Sequence, residues 1–223
     1  MSMIIGLGWG VIAALEFFWV TKYYFPVLLQ RSEEKSTIET VSLQRIDYVL
    51  AISSVVFSVA CGYYATENCS TWINLCKIAI TFFILNCIWL TDLKLMIIPN
   101  ICSLILLGAG ICILVIEFVL NRQNAMSWLI NDAISLLITF ILLVFMSRIT
   151  KGGIGMGDIK IFCSLAFVCG IRGIFCTLLM AFSLCAVFSI LLILIRRKSI
   201  KDNLPLGPFI FMGYGVSVIL AII

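Results

Sequence analysis

Apolar runs of about twenty residues dominate this chain, and they leave few folds open to it. They fall at roughly 3–20, 47–65, 72–91, 99–120, 126–147, 173–195 and 205–223. A transmembrane helix needs about 20 mostly apolar residues, whereas the strands of a membrane β-barrel alternate in polarity. With 63% hydrophobic and only 12% charged residues, the chain also differs from a soluble domain, which is about half apolar and a quarter charged. The sequence therefore predicts an all-α, polytopic integral membrane protein.

A shorter apolar run at roughly 158–170 leaves the number of helices open. At about 1.5 Å per residue it would span about 20 Å, less than a hydrocarbon core of about 30 Å. It is either a separate crossing, which gives about eight transmembrane helices, or a re-entrant element beside seven. The first run carries no basic n-region, so we interpret it as a retained helix rather than a signal peptide. We predict one membrane-embedded domain over residues 1–223, with a polar loop at 21–46.

The basic residues predict the orientation of the chain in the cell membrane. If the loop at 21–46 is cytoplasmic, twelve of the 15 lie on the cytoplasmic side: Lys22, Arg31, Lys35, Arg45, Lys94, Arg148, Lys151, Lys160, Arg196, Arg197, Lys198 and Lys201. The other three are Lys77, Arg122 and Arg172. This bias follows the positive-inside rule, supports eight crossings and predicts that both termini lie outside. Because the basic residues lie mainly at helix ends, we do not expect nucleic acid as a partner.

The cysteine and histidine content limits the chemistry. The chain has no histidine, and its ten cysteines form no CxxC pair. This excludes the usual zinc spacings and every histidine-dependent triad. We therefore expect no metal and no cofactor. A disulfide among Cys61, Cys69 and Cys76 is left open.

Five carboxylates lie within or against the apolar runs: Glu16, Asp92, Glu117, Asp132 and Asp158. A charged, unpaired carboxylate there costs about 2.5–3.5 kcal/mol even on the lenient insertion scale, so each is a functional candidate. The predicted topology places Asp92 and Asp158 at the same cytoplasmic face. It places Glu117 and Asp132 toward the opposite ends of their helices. Glu16, Glu117 and Asp132 either bind one another or line a wet crevice, and the sequence leaves both alternatives open.

Residues with unusual backbone properties, glycine and proline, lie close to both Asp92 and Asp158 in the sequence. Asp158 closes the stretch KGGIGMGDIK, in which Gly155 and Gly157 allow a tight turn and a close backbone approach. Asp92 precedes Pro99 and Asn100, and proline suits a break followed by the first turn of a new helix. A phosphate-binding loop is excluded, since no GK[ST] follows the glycines.

Two carboxylates at close range tend to share one proton. The ionised one can then take a proton from water while the protonated one polarises a carbonyl, as in aspartic proteases. The alternative is that each aspartate only caps a helix or pairs with a lysine, Lys94 or Lys160. From the residues alone, both interpretations stay open.

The motifs together resemble the type IV prepilin peptidases, a family of GxGD membrane aspartyl proteases. The resemblance rests on Gly155-Met156-Gly157-Asp158, on Asp92 followed by Pro99-Asn100, and on Leu204-Pro205-Leu206-Gly207-Pro208-Phe209. It implies cleavage of the basic leader of type IV prepilins or pilin-like proteins at the cytoplasmic membrane face. It also implies that Asp92 and Asp158 are catalytic, with support from Gly155, Gly157, Pro99, Asn100 and Lys160.

The resemblance covers about 80–220 and departs from many bacterial members before that. Those members carry a cytoplasmic domain with CxxC pairs and a methyltransferase activity, whereas the 21–46 loop here has no cysteine. A short form limited to peptidase activity is therefore expected.

Two other hypotheses use the same carboxylates. A presenilin-like intramembrane protease would carry Tyr-Asp and Pro-Ala-Leu motifs, where this chain has Thr91-Asp92 and Leu204-Pro205-Leu206. A small proton- or cation-coupled transporter would use Asp92 and Asp158 as ion sites, but it leaves the proline motifs unexplained.

Overall fold

The computed structural model describes Gly8 and residues 45–68, 71–96, 98–120, 122–151, 153–195 and 204–220. Apart from Gly8, the predicted first helix lies outside this set, and so does the predicted polar loop at 21–46 except for its last two residues, which begin the first described helix. The described residues form six helices: α1 (Arg45–Asn68), α2 (Trp72–Leu95), α3 (Asn100–Leu120), α4 (Arg122–Ile149), α5 (Met156–Leu194) and α6 (Gly207–Ile219).

The predicted fold class is confirmed for these residues, which contain helices and no strand. Four segments are long and apolar enough to cross a membrane: Trp72–Leu93, Asn100–Leu120, Met126–Ile149 and Met156–Leu194. Large apolar side chains cover their outer faces, for example Val119 and Leu194, which are 76% and 74% exposed. Lipid can cover such a surface, so the chain is a multi-pass membrane protein.

Helix α5 contains the short run at 158–170. It is continuous over Met156–Leu194 except at Gly170, whose φ of 66° and ψ of −177° are not helical. The ring centroids of Phe162 and Phe182 are only 5.8 Å apart, although 20 residues of straight helix would extend about 30 Å. The chain therefore turns back at Gly170, and 158–170 forms an arm of its own beside the arm that follows. The two arms fit both expectations, a separate crossing and a re-entrant element, so the count of about eight helices stays a prediction.

An aromatic cluster holds α6 against the first two helices. The Phe211 ring stacks on Trp89 of α2 at 4.9 Å and lies 5.3 Å from Phe57 of α1. On its other side, α6 approaches the second arm of α5 so closely that a Cβ on Gly213 would lie 2.8 Å from the Thr177 carbonyl oxygen. This close packing fixes where the first residue of α6 meets the end of α2.

Seven of the nine cysteines that the structure describes are buried or partly buried, which suits small packing residues. Cys61 is buried, Cys76 is exposed, and both carry free thiols. They therefore do not pair with each other, and Cys69 lies outside the described residues.

Candidate active site

Asp92 lies in the last turn of α2 and is only 5% exposed. The helix ends because Met96 adopts a left-handed conformation, and its N–H donates to the Asp92 backbone oxygen at 2.9 Å. Pro99 is buried in the short connection, and the exposed Asn100 begins α3. The predicted break after Asp92 is therefore present, and it leaves the Asp92 side chain facing the start of α6.

The Asp92 carboxylate accepts a hydrogen bond from the first residue of α6. The Gly207 N–H donates to Oδ2 of Asp92 at 2.6 Å. The first N–H groups of a helix have no partner inside the helix, and the helix dipole favours an anion there. A Cβ on Gly207 would lie 2.9 Å from Cβ and 3.0 Å from Oδ2 of Asp92, so only glycine fits without a shift.

Asp158 lies in the first turn of α5 and is half-buried. The N–H of Gly155, the N-cap residue, donates to Oδ2 of Asp158 at 3.2 Å. A Cβ on Gly155 would lie 3.0 Å from the same oxygen. The helix-capping role that the sequence left open is thus real, and it orients the carboxylate at the same time.

The fold brings the two aspartates together. They lie close enough to interact electrostatically, although 66 positions separate them in the sequence. Each carboxylate that interacts with another negative charge is harder to ionise, so full ionisation of both is disfavoured.

Three contacts hold the start of α5 against the segment that follows Asp92. A Cβ on Gly157 would lie 3.2 Å from Cβ of Ile98, so glycine permits the close approach. The Lys160 ammonium donates to Oδ1 of Asn100 at 3.0 Å, and the Ser164 hydroxyl donates to the Ser103 backbone oxygen at 2.9 Å. Of the supporting residues named from the sequence, Gly157, Asn100 and Lys160 therefore link the two aspartate-bearing segments.

Sequence reasoning missed the contacts of Gly207 and Ile98. Gly207 belongs to the Pro-x-Gly-Pro stretch, so its motif was visible, but no local pattern shows that its N–H faces Asp92. Ile98 lies one residue before Pro99 and resembles any other apolar residue.

The other carboxylate candidates lie away from this pair. Glu117 forms an ion pair with Lys77 at 2.7 Å near the opposite end of α2, and Asp132 shares a cavity with both. The proposed crevice is thus the interpretation that the geometry favours. Glu16 and the side chain of Lys94 lie outside the described residues.

The described part of the chain holds no group of three or more histidine, cysteine, aspartate or glutamate side chains that could bind a metal ion. The chemistry assembled around Asp92 and Asp158 is that of two carboxylates and backbone N–H donors.

Comparison with known proteins agrees with the motifs. The model of the type IV leader peptidase family matches residues 78–190, just over half of the 223-residue chain. A Bacillus subtilis (strain 168) protein described as a prepilin leader peptidase/N-methyltransferase is 31% identical over 86 residues. That match covers 36% of this chain and 35% of the Bacillus protein. No solved structure matches significantly. Both aspartates lie within the matched range, and the chain belongs to the type IV leader peptidase family.

Proposed function

We propose that this protein is an aspartic endopeptidase that removes the leader peptide of type IV prepilins or pilin-like proteins. The observation that carries the proposal is the pairing of Asp92 and Asp158 within electrostatic range at one end of the helical bundle. Membership of the leader peptidase family supports this class of substrate. The name of the Bacillus relative points to the same substrates.

The geometry suits general acid–base catalysis by two carboxyl groups. With one proton between them, the ionised carboxylate takes a proton from a water molecule, and the oxygen of that water attacks the scissile carbonyl carbon. The protonated partner donates a hydrogen bond to the carbonyl oxygen as it gains negative charge. Collapse of the tetrahedral intermediate breaks the C–N bond, and a carboxyl group delivers a proton to the leaving amine.

The two glycine N–H groups position the carboxylates for this chemistry. Gly207 donates to Asp92 and Gly155 donates to Asp158, each through Oδ2. One oxygen of each carboxylate is thereby held at a helix N-terminus, which sets the orientation of the carboxyl group. Because rates depend steeply on the placement of reacting groups, these bonds are part of the proposed site.

The proposed orientation places the pair at the cytoplasmic membrane face. This follows from the distribution of lysine and arginine, which is biased toward the side that carries Arg148 and Lys151. A leader rich in basic residues, located before a hydrophobic helix, would be presented at that face. N-methylation is left outside the proposed function, because the 21–46 loop carries no cysteine and the match covers only 35% of the Bacillus protein.

Co-expression with an epitope-tagged prepilin tests the proposal. Wild type should convert the substrate to a shorter product whose new N-terminus lies just before the hydrophobic helix. Asp92→Asn and Asp158→Asn should each leave the uncleaved precursor, with a loss of at least about 1000-fold, because no proton can be shared correctly. Gel mobility and N-terminal sequencing of the product provide the measurement.

The matched control is Asp47→Asn, which removes an aspartate in the first turn of α1 and should process the substrate as wild type does. Extraction and size-exclusion behaviour of each variant show whether it is folded. Full processing by either active-site variant would disprove the two-aspartate assignment. Cleavage well inside the hydrophobic helix would instead favour the presenilin-like hypothesis.

A further inference from the structure

A second polar site lies at the other end of the bundle from Asp92. It is a cavity of about 450 Å³ lined by residues of α2, α3, α4 and the first arm of α5. Its charged residue on α2 is Lys77, 15 positions before Asp92, which corresponds to about 22 Å along a helix. The cavity is therefore distinct from the proposed active site. It lies near the ends of apolar segments, where membrane headgroups or water can reach it.

Negative charge exceeds positive charge among the described residues that line this cavity. Lys77 donates to Oε1 of Glu117 at 2.7 Å, which neutralises one carboxylate. Asp132 is 7% exposed and interacts electrostatically with both of them. Its Oδ1 accepts a long hydrogen bond, 3.4 Å, from the Asn131 amide. The described lining thus carries two carboxylates against one ammonium.

One of the carboxylate oxygens in this cavity lacks a hydrogen-bond partner among the described side chains. Glu117 is 5% exposed, and its Oε2 has no hydrogen-bond partner among the residues whose side chains are described. A buried acceptor without a partner costs about 1–3 kcal/mol, and more when it is charged. Together with Asp132, it calls for a donor that carries positive charge.

The size and walls of the cavity indicate what kind of cation would fit. A volume of about 450 Å³ corresponds to about 15 water molecules at about 30 Å³ each, far more than a bare ion requires. Trp128 and several aliphatic side chains line it beside the carboxylates, and the aliphatic ones are Ile73, Ile78, Leu120 and Val168. An indole face attracts cations, and aliphatic walls favour hydrocarbon. These features suit an organic cation better than a metal ion.

We propose that this cavity binds a primary ammonium group carried on an organic molecule. Its three N–H donors match the open oxygen of Glu117 and the carboxylate of Asp132, while Trp128 and the aliphatic wall cover the attached carbon atoms. A soluble amine and an ethanolamine lipid headgroup share this chemistry, and the experiment separates them.

Thermal unfolding of the purified full chain in detergent provides the first arm. Ethanolamine should raise Tm in a saturable manner by about 2–4 °C, whereas tetramethylammonium at equal ionic strength should not, because it has no N–H donor. The second arm compares nanodiscs of phosphatidylethanolamine with nanodiscs of phosphatidylcholine. Stabilisation by ethanolamine supports a soluble amine, and stabilisation only by the phosphatidylethanolamine bilayer supports the headgroup.

Variants connect either effect to this cavity. Asp132→Asn and Glu117→Gln should each abolish the shift, whereas Cys112→Ser, an exposed position on α3, should retain it. Asp132→Asn is the decisive variant, because it leaves the Lys77–Glu117 ion pair in place, and monodisperse size exclusion verifies its folding. Equal stabilisation by tetramethylammonium, the absence of a shift in both arms, or an unchanged shift in folded Asp132→Asn would each overturn the proposal.

Discussion

The backbone N–H of Gly207 donates to the Asp92 carboxylate at 2.6 Å across 115 positions of sequence. A parallel contact joins the Gly155 N–H to Asp158 at 3.2 Å. In both cases a Cβ on the glycine would lie 3.0 Å from the oxygen that accepts the hydrogen bond. Each candidate catalytic carboxylate is therefore held by a glycine at the start of a helix, one on α6 and the other on α5.

Replacement of Gly207 by alanine should lower peptidase activity by about 10- to 100-fold, because the added Cβ pushes against Asp92 and displaces its carboxylate. Alanine favours helices, so loss of helix stability would not explain the result. Gly108→Ala is the matched control, since nothing lies within 4 Å of a Cβ there. Cleavage rates of a prepilin substrate by both variants provide the measurement, and equal rates would contradict the role of Gly207.

Gly157 and Ile98 should behave as a coupled pair. Gly157→Val should reduce cleavage, because its side chain meets Ile98 where even a Cβ lies 3.2 Å away. Ile98→Ala should restore part of the activity in the double variant by making room. A double-mutant cycle on cleavage rates measures the coupling, and purely additive effects would show that the contact does not matter.

The Lys160–Asn100 hydrogen bond, 3.0 Å long, should contribute modestly to holding α5 beside α3. Lys160→Met and Asn100→Ala should each lower the free energy of unfolding by about 0.5–1.5 kcal/mol, and the double variant should lose no more than either alone. Denaturant titration in detergent would measure these changes. If the loss in the double variant equals the sum of the losses in the two single variants, the two side chains do not act through their hydrogen bond.

Gly170→Ala should destabilise the turn between the two arms of α5. The φ of 66° and ψ of −177° belong to a region that essentially only glycine occupies, and strain there costs about 1–3 kcal/mol. The new Cβ would also meet the Asn131 amide nitrogen. Tm should fall by several degrees relative to Gly108→Ala, and an unchanged Tm would argue against the sharp turn.

The predicted orientation can be tested with reporter fusions at two positions. A green fluorescent protein fused after Lys151 should fluoresce, and alkaline phosphatase at that position should be inactive, because the positive-inside rule places this end in the cytoplasm. Fusions after Arg122 should show the opposite pattern. The reverse result at both positions would show that the topology is opposite to the predicted one.

The sequence by itself determined that the chain lies in a lipid bilayer and where most of its helices lie. Apolar runs predicted helices close to α1–α4 and α6, since a bilayer requires every backbone polar group to be satisfied within its own segment. The cost of a carboxylate in hydrocarbon, together with its glycine or proline context, selected Asp92 and Asp158. These inferences depend only on residues that are close to each other in the sequence, so the sequence alone is enough to make them.

The tertiary structure decided what lies opposite each of these groups. The turn at Gly170 shows in the dihedral angles and in the Phe162–Phe182 contact, whereas the sequence left that stretch ambiguous. The Gly207 donor on Asp92 depends on how α6 packs between α2 and α5. The Lys77–Glu117 pair beside Asp132 likewise joins residues of three helices. Such contacts arise from helix packing, whose energy depends on the shapes of distant surfaces, so no local pattern records them.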